Sequence, residues 1–161
     1  MTETISGTAF RDALAQFASG VTIVAVREGE QLAGLTATAF SSVSLAPPLV
    51  LVCVAQTASA NDAVLAAEHL GISILADGQG WIALQFAKHG IDKFQNVSLV
   101  PGKSVPLVDG ALAQLECKRH ATHAEGDHTI LVLEVVAASV GTGEPLIHYK
   151  RKLGGFSAGA G

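Results

Sequence analysis

The chain has 161 residues and a formal charge of −4, and it is 49% hydrophobic but only 15% charged, against about 25% charged in typical domains. That length makes one domain with a sizeable core. The few Lys and Arg residues, scattered apart from Lys150, Arg151 and Lys152, argue against a nucleic-acid footprint.

Aromatics make up only 5%, so the core must be built from Val, Ile, Leu and Ala, which pack well on pleated sheets. So apolar a surface predicts a β-rich obligate homodimer. Cys53 and Cys117 each sit in an apolar run, where a cysteine is more often a small buried hydrophobe than a reactive thiol. Two isolated cysteines imply no disulfide framework and fit a reducing cytosol. No basic segment followed by an apolar block opens the chain, and the run from Leu49 to Ala55 is too short to span a membrane. A cytoplasmic protein without a membrane segment is expected, as a single domain over 1–161.

In chain order, Phe10, Leu14 and Phe17 recur at helical spacing, with Thr8 as N-cap and Gly20 as the closing glycine. The apolar runs 21–26 and 32–40 flank Gly29 and read as a β-hairpin. Residues 48–55, PLVLVCVA, form a continuous apolar strand that should be covered on both faces. A second short helix over 63–69 is capped near Asn61 or Asp62, and a strand over 70–76 follows. A third helix over 79–90 places Ile82 and Phe86 on one face and stops at Gly90. The stretch 91–110 has two prolines and little periodicity and reads as an irregular loop. Two long strands, 111–123 and 128–140, are joined by the turn AEGD. A short strand over 145–151 precedes a Gly/Ala tail, 153–161, expected to fray. Six or seven strands with too few helices for repeated βαβ units predict a closed or partly closed antiparallel barrel.

Standard nucleotide motifs are absent. Gly141 and Gly143 give a Gly-x-Gly, but Leu146 stands where the third glycine belongs and no helix follows. His120, His123 and His128 are near in sequence, yet 120 and 123 fall on opposite strand faces and no carboxylate cluster completes a shell, so no metal site is assigned. His128 ends a turn at a sheet edge; it is either a solvated turn histidine or an imidazole that reaches a ligand.

The segment TATAFSSVS, 36–44, combines small side chains with hydroxyls at 36, 38, 41, 42 and 44. Small residues let a flat ring approach the backbone, whose N–H and C=O groups can read its polar edge. The hydroxyls suit a phosphate or ribityl chain. A half-exposed edge strand with a Ser/Thr face explains the same residues without a ligand. Pro47 and Pro48 end the segment, since neither can donate a ladder hydrogen bond.

Five blocks in order, FRDALAQFASGVTIV, GLTATAFSSVSLAPPLVLVCV, ISILADGQGWIALQFA, ALAQLECKRHATHAEGDHTILVLEV and PLIHY, resemble the short-chain flavin reductases. These are reductase components of two-component flavin-dependent monooxygenases, with an FMN-binding split β-barrel. The resemblance covers Phe10 to Tyr149. It implies a mainly β, Greek-key-like antiparallel barrel with short helices, and a homodimer with flavin, FMN or FAD, at its interface. By the same resemblance, Thr36, Ala37 and Thr38 face the isoalloxazine, and Ser41, Ser42 and Val43 bind ribityl and phosphate. Ala55, Gln56, Ser59 and Asn61 add phosphate contacts, Phe94 borders the flavin, His128 lies on the nicotinamide side and Tyr149 lines the same pocket. The loop QTASAND lacks the Arg or Lys of many relatives, so the phosphate would rely on N–H groups and the helix start near Asn61. The implied reaction is hydride transfer from NADH or NADPH to flavin, which then diffuses to a separate oxygenase. The alternatives are a flavin-retaining carrier or sensor, a pyridoxamine-phosphate-type oxidase and a ligand-free dimeric barrel. FMN and FAD, and NADH and NADPH, are not distinguished by these residues.

Overall fold

A computed structural model describes residues 4–159. Its elements in chain order are α1 (Gly7–Leu14), β1 (Ser19–Gly20), β2 (Thr22–Glu28), β3 (Gln31–Ala37), β4 (Phe40–Leu45), β5 (Pro48–Ala55), α2 (Asn61–Ala66), β6 (His69–Ile74), α3 (Gly80–Phe86), β7 (Ala113–Glu125), β8 (His128–Val140), β9 (Leu146–Tyr149) and β10 (Lys152–Gly155). Seven strands make one antiparallel sheet in the order β3-β2-β6-β7-β8-β5-β4. A smaller sheet has the order β1-β9-β10.

Barrel closure follows from connectivity. β3 and β4 are the opposite edges of the seven-stranded sheet, yet only Thr38 and Ala39 separate them in sequence. Consecutive Cα atoms are about 3.8 Å apart, so the sheet must curl until its edges meet at that step. The Cys53 N–H of β5 donates to the Ala39 carbonyl at 3.0 Å and fastens the junction. Away from this point β3 and β4 carry no ladder between them. The barrel is split along this seam, in accord with the expected mainly β split-barrel class.

β2 is buried on both faces because it serves two cores. Val24 and Val26 face the barrel interior with Val52, Leu70, Ile72, Leu131 and Leu133, while Ile23 and Ala25 pack outward with Leu75, Ile82, Phe86 and Leu146. β5 differs from its expected burial on both faces. Val50, Val52 and Val54 fill the barrel, but Leu51, Cys53 and Ala55 on the other face are only partly covered. Its outward face borders open space instead of a covering layer.

Several boundaries move for local reasons. α1 is capped two residues before Thr8, because the Ser6 hydroxyl accepts the Ala9 N–H at 3.2 Å. It ends at Leu14, and Gly20 belongs to β1, which pairs with β9. None of its residues is buried, and Phe10, Leu14 and Phe17 stand exposed. The Arg151 guanidinium on the Asp12 carboxylate at 2.7 Å, and the Lys150 N–H on the Ala15 carbonyl, hold α1 against the β9–β10 turn. The run 32–40 divides into β3 and the separate strand β4, which turns back onto β5 through the Pro47 region. The tail expected to fray from 153 is ordered through Gly155, since Leu153, Gly154 and Gly155 pair with β9; residues 160 and 161 of that tail, and 1–3 of the single domain, lie outside the described residues. No helix among the described residues is long and apolar enough to cross a membrane.

Two glycines are set by close approach. A Cβ on Gly71 of β6 would lie 2.1 Å from the Pro106 carbonyl oxygen, and one on Gly34 of β3 would lie 2.7 Å from Phe86 Cε1. The first lets the 105–108 segment cover the barrel wall. The second lets Phe86 of α3, fully buried, seat on β3 beside the seam.

Candidate functional site

The split leaves a cleft of about 250 Å³ between the end of β3, the outward face of β5, the loop after β5 and the segment that follows α3. Thr36, Ala37, Thr38, Ala55, Ser59 and His128, all named from sequence, line it together. So do Ala39, Cys53, Ala58, Phe86, His89 and Lys93.

β3 supplies an unpaired backbone edge. The Lys93 Nζ donates to the Gly34 carbonyl at 3.1 Å, which shows that Gly34 points its peptide groups away from β2. Backbone groups alternate sides along a strand, so those of Leu32 and Thr36 also face the open edge. The Thr36 side chain is engaged elsewhere: its hydroxyl donates to the Ala83 carbonyl of α3 at 2.6 Å. Thr36 therefore offers a ligand its main chain, as the small-residue pattern implied. Alanines at 37, 39, 55 and 58 keep the space flat and shallow.

His128 opens β8, with Ala55 as its ladder partner on β5. Its Nδ1 lies 2.7 Å from Asp127 Oδ1, which leaves Nε2 as the ring nitrogen available to a ligand. The hydrogen bond with His128, then its charge, holds the Asp127 carboxyl below the usual carboxylate range. The Gln56 N–H donates to the Asp127 carbonyl at 3.0 Å and its side-chain amide donates to the Gly126 carbonyl at 3.3 Å. Gln56 thus clamps the turn that carries His128 and does not line the cleft.

The remaining sequence candidates fall outside the cleft lining. Ser41, Ser42 and Val43 are exposed on β4, and the Ser41 hydroxyl donates to the Ser42 carbonyl at 3.1 Å. Ser41 borders a neighbouring apolar groove of about 510 Å³ with Phe10, Leu14, Phe17, Phe40 and Leu51, which meets the cleft at Thr38 and Ala39. Asn61 is buried at the start of α2, its amide donating to Asp62 Oδ1 at 3.1 Å while its own Oδ1 has no partner. α2 has six residues and no side-chain cap. Phe94 stands behind Phe86, ring centroids 4.8 Å apart and edge to face. Tyr149 lines a separate groove of the small sheet, under the Lys150 ammonium.

The sequence reading missed Lys93. Among the described residues that line the cleft it is the one lysine or arginine, and burial pulls its ammonium below the ordinary lysine range. The loop after β5 holds no cation; the cation arrives from the segment after α3, where Lys93 stands directly before Phe94 in sequence. Among the described residues no group of three or more His, Cys, Asp and Glu side chains is placed to hold a metal ion.

An unpaired strand edge for a planar heterocycle's polar rim, a shallow alanine-lined slot and a partly buried ammonium fit a flavin. Residues 14–157 match the family described as "Flavin reductase like domain". The reductase component of a 4-hydroxyphenylacetate 3-monooxygenase from Thermus thermophilus is 43% identical over 144 residues, 89% of this chain and 92% of that one. An NADH-dependent FMN reductase from Agrobacterium fabrum is 39% identical over 149 residues, 92% of this chain and 85% of that one. Among solved structures, a Streptomyces globisporus NADH:FAD oxidoreductase in complex with NAD and FAD fragments superposes with a TM-score of 0.90 at 36% identity, covering 99% of this chain and 100% of that one. With sequence and fold matched over nearly the whole chain, the protein belongs to the flavin reductase-like domain family.

Proposed function

We propose that this protein is an NAD(P)H-dependent flavin reductase that delivers reduced FMN or FAD to a separate flavin-dependent oxygenase. The observation that carries the reading is the convergence at the seam of Thr36, Ala37, Thr38, Ala55, Ser59 and His128 on one cleft. Relatives named as monooxygenase reductase components and NADH-dependent flavin reductases support the activity and the kind of partner.

Flavin, when bound, supplies the hydride acceptor. The chain's own residues then have four tasks. The β3 edge at Thr36 to Thr38 registers the ring by backbone hydrogen bonds. Ala37, Ala39, Ala55 and Ala58 exclude water without filling the slot. Ser59 and Lys93 face the phosphate, the ammonium offering the charge that the loop after β5 lacks. His128, braced by Asp127 and by Gln56 through the turn, borders the side from which a nicotinamide would stack. Hydride transfer needs no side-chain acid or base once the two rings are held near contact, which suits a cleft where the side-chain hydrogen bond of His128 runs to Asp127.

The protein acts as a homodimer. Phe10, Leu14 and Phe17 leave an apolar groove beside the cleft, and a second copy would cover it and bring Ser41, Ser42 and Val43 to the margin of the site. Free Cys53 and Cys117 accord with a reducing cytoplasm.

The test is oxidation of NADH and of NADPH, followed at 340 nm with FMN or FAD added. Turnover that depends on added flavin is expected. Flavin retained through gel filtration without turnover would replace the reductase by a carrier or sensor, and no flavin binding would sink the reading.

A further inference from the structure

Lys93 has no helix or strand of its own to aim it. It lies in the irregular stretch between α3 and β7, in a turn whose own bonds are local. The Asp92 carboxylate accepts the Phe94 N–H at 3.0 Å, the Gln95 N–H donates to the Asp92 carbonyl at 3.4 Å, and the Val97 N–H donates to the Phe94 carbonyl at 3.0 Å. Those bonds give the turn a shape but do not fix it against the barrel. Phe94 packed edge to face on Phe86 and the Lys93 ammonium on the Gly34 carbonyl help to do so. The side chain of Gln85, in α3, completes the attachment: its amide donates to the Lys93 carbonyl at 2.7 Å and to the Gln95 carbonyl at 2.9 Å. Both partners are acceptors, so both hydrogens of the NH2 group are committed. The two carbonyls flank Phe94, and Gln85 itself precedes Phe86, the ring on which Phe94 packs. Lys93 is therefore held twice, its main chain by α3 and its ammonium by β3.

We propose that Gln85 is a positioning residue for the phosphate contact of the cleft: by holding the Lys93 main chain, it sets how far the cleft prefers a phosphorylated flavin to riboflavin. This rests on the flavin reductase reading. Lys93 is the one lysine or arginine among the described residues that line the cleft. Its ammonium keeps one N–H on the Gly34 carbonyl and has two left for a phosphate. A lysine on a loose turn would give up backbone and rotamer freedom each time it met that phosphate. With the turn fastened to α3, that freedom is already surrendered in the empty site, and the ion pair forms at full strength. Riboflavin, which has no phosphate, gains nothing from the arrangement.

The experiment measures dissociation constants of riboflavin and FMN by flavin fluorescence for the wild type, Gln85→Met, Lys93→Met and the double variant. Gln85→Met keeps the length of the side chain and removes both donors. Lys93→Met should weaken FMN by about tenfold and Gln85→Met by about fivefold, with riboflavin within about twofold in each. The double variant should bind FMN within about twofold of Lys93→Met, because the amide acts only through the lysine. At saturating NADH the KM for FMN should rise in Gln85→Met while kcat stays in place. Riboflavin and FMN weakened alike by Gln85→Met would overturn the proposal, by reducing Gln85 to a support of the fold. Additive losses in the double variant, or FMN affinity unchanged in either single variant, would overturn it too. So would failure of Gln85→Met to fold, since a part-buried side chain that only aims a loop is dispensable for folding. Flavin-dependent turnover of the wild type in any of these cases leaves the reductase reading standing; failure of the wild type to bind either flavin overturns both.

Discussion

Across β2, β6 and β7 each strand has ladder partners on both sides, and Val24, Leu70, Ile72 and Cys117 are sealed from solvent. Along β3 and β5, at the seam, equally small and apolar residues border open space. The chemistry of the side chains hardly differs between wall and seam; what differs is that β3 has a ladder partner on one side only, and that no layer among the described residues covers the outward face of β5. A wall of this kind tolerates almost no added volume, whereas a seam has room for a ligand and depends on it for contacts that the fold leaves unmade.

Substitutions at matched positions should separate the two regions, and the largest effect belongs to the wall. Gly71→Ala places a Cβ against the Pro106 carbonyl, a backbone atom that cannot swing away. Destabilisation near the upper end of about 1–3 kcal/mol is expected, read as a lower urea midpoint at unchanged slope. An unchanged midpoint would mean that the 105–108 segment is not packed on β6.

Gly34→Ala applies the same change at the seam, where the nearest atoms are the Phe86 ring and the Val24 carbonyl at 3.0 Å. The ring can tilt, so a smaller loss of about 1 kcal/mol is expected. Flavin affinity should fall with it, because Phe86 walls the cleft. Loss of stability without loss of affinity would dissociate Phe86 from the site.

His128→Ala should leave the unfolding midpoint in place and raise the apparent KM for the nicotinamide, or slow reduction, by about tenfold. Asp127→Asn should move the same parameter less, as expected of a residue that only braces the imidazole. Unchanged steady-state kinetics for both would remove His128 from the reaction.

The smallest effect concerns the thiols. Burial pushes Cys117, in the wall, up to about 12, so a thiol reagent at pH 8 should not modify it in the native protein. Cys53 is also raised by burial but lines the cleft; it should react slowly, and added flavin should protect it. Equal labelling of both would contradict the contrast between wall and seam.

Much of the site was legible locally. Thr36 to Thr38, Ala55 and His128 stand out as small residues or a turn histidine at the ends of apolar runs, and each lies at or just past the end of a strand in the fold. Ser41, Ser42 and Val43 lie exposed on β4, outside the cleft lining of a single chain, because hydroxyl content does not say which face of an edge strand meets the cleft. Gln56, expected at the phosphate, instead holds the turn before β8 in this chain, its amide reaching Gly126 across the sheet, a contact no local pattern shows. Lys93 escaped because it reaches Gly34 over 59 positions of sequence, beyond any local pattern.

The order of apolar runs, the turn glycines and the scarcity of charge were enough to determine an antiparallel barrel of Val, Ile, Leu and Ala, because periodicity and turn chemistry act over a few residues. Only the tertiary structure decided where that barrel splits, which strand edge stays unpaired and which cation stands beside it. Those outcomes depend on curling the sheet until β3 and β4, its two opposite edges, meet at Thr38 and Ala39, a closure set by the pairing of all seven strands together.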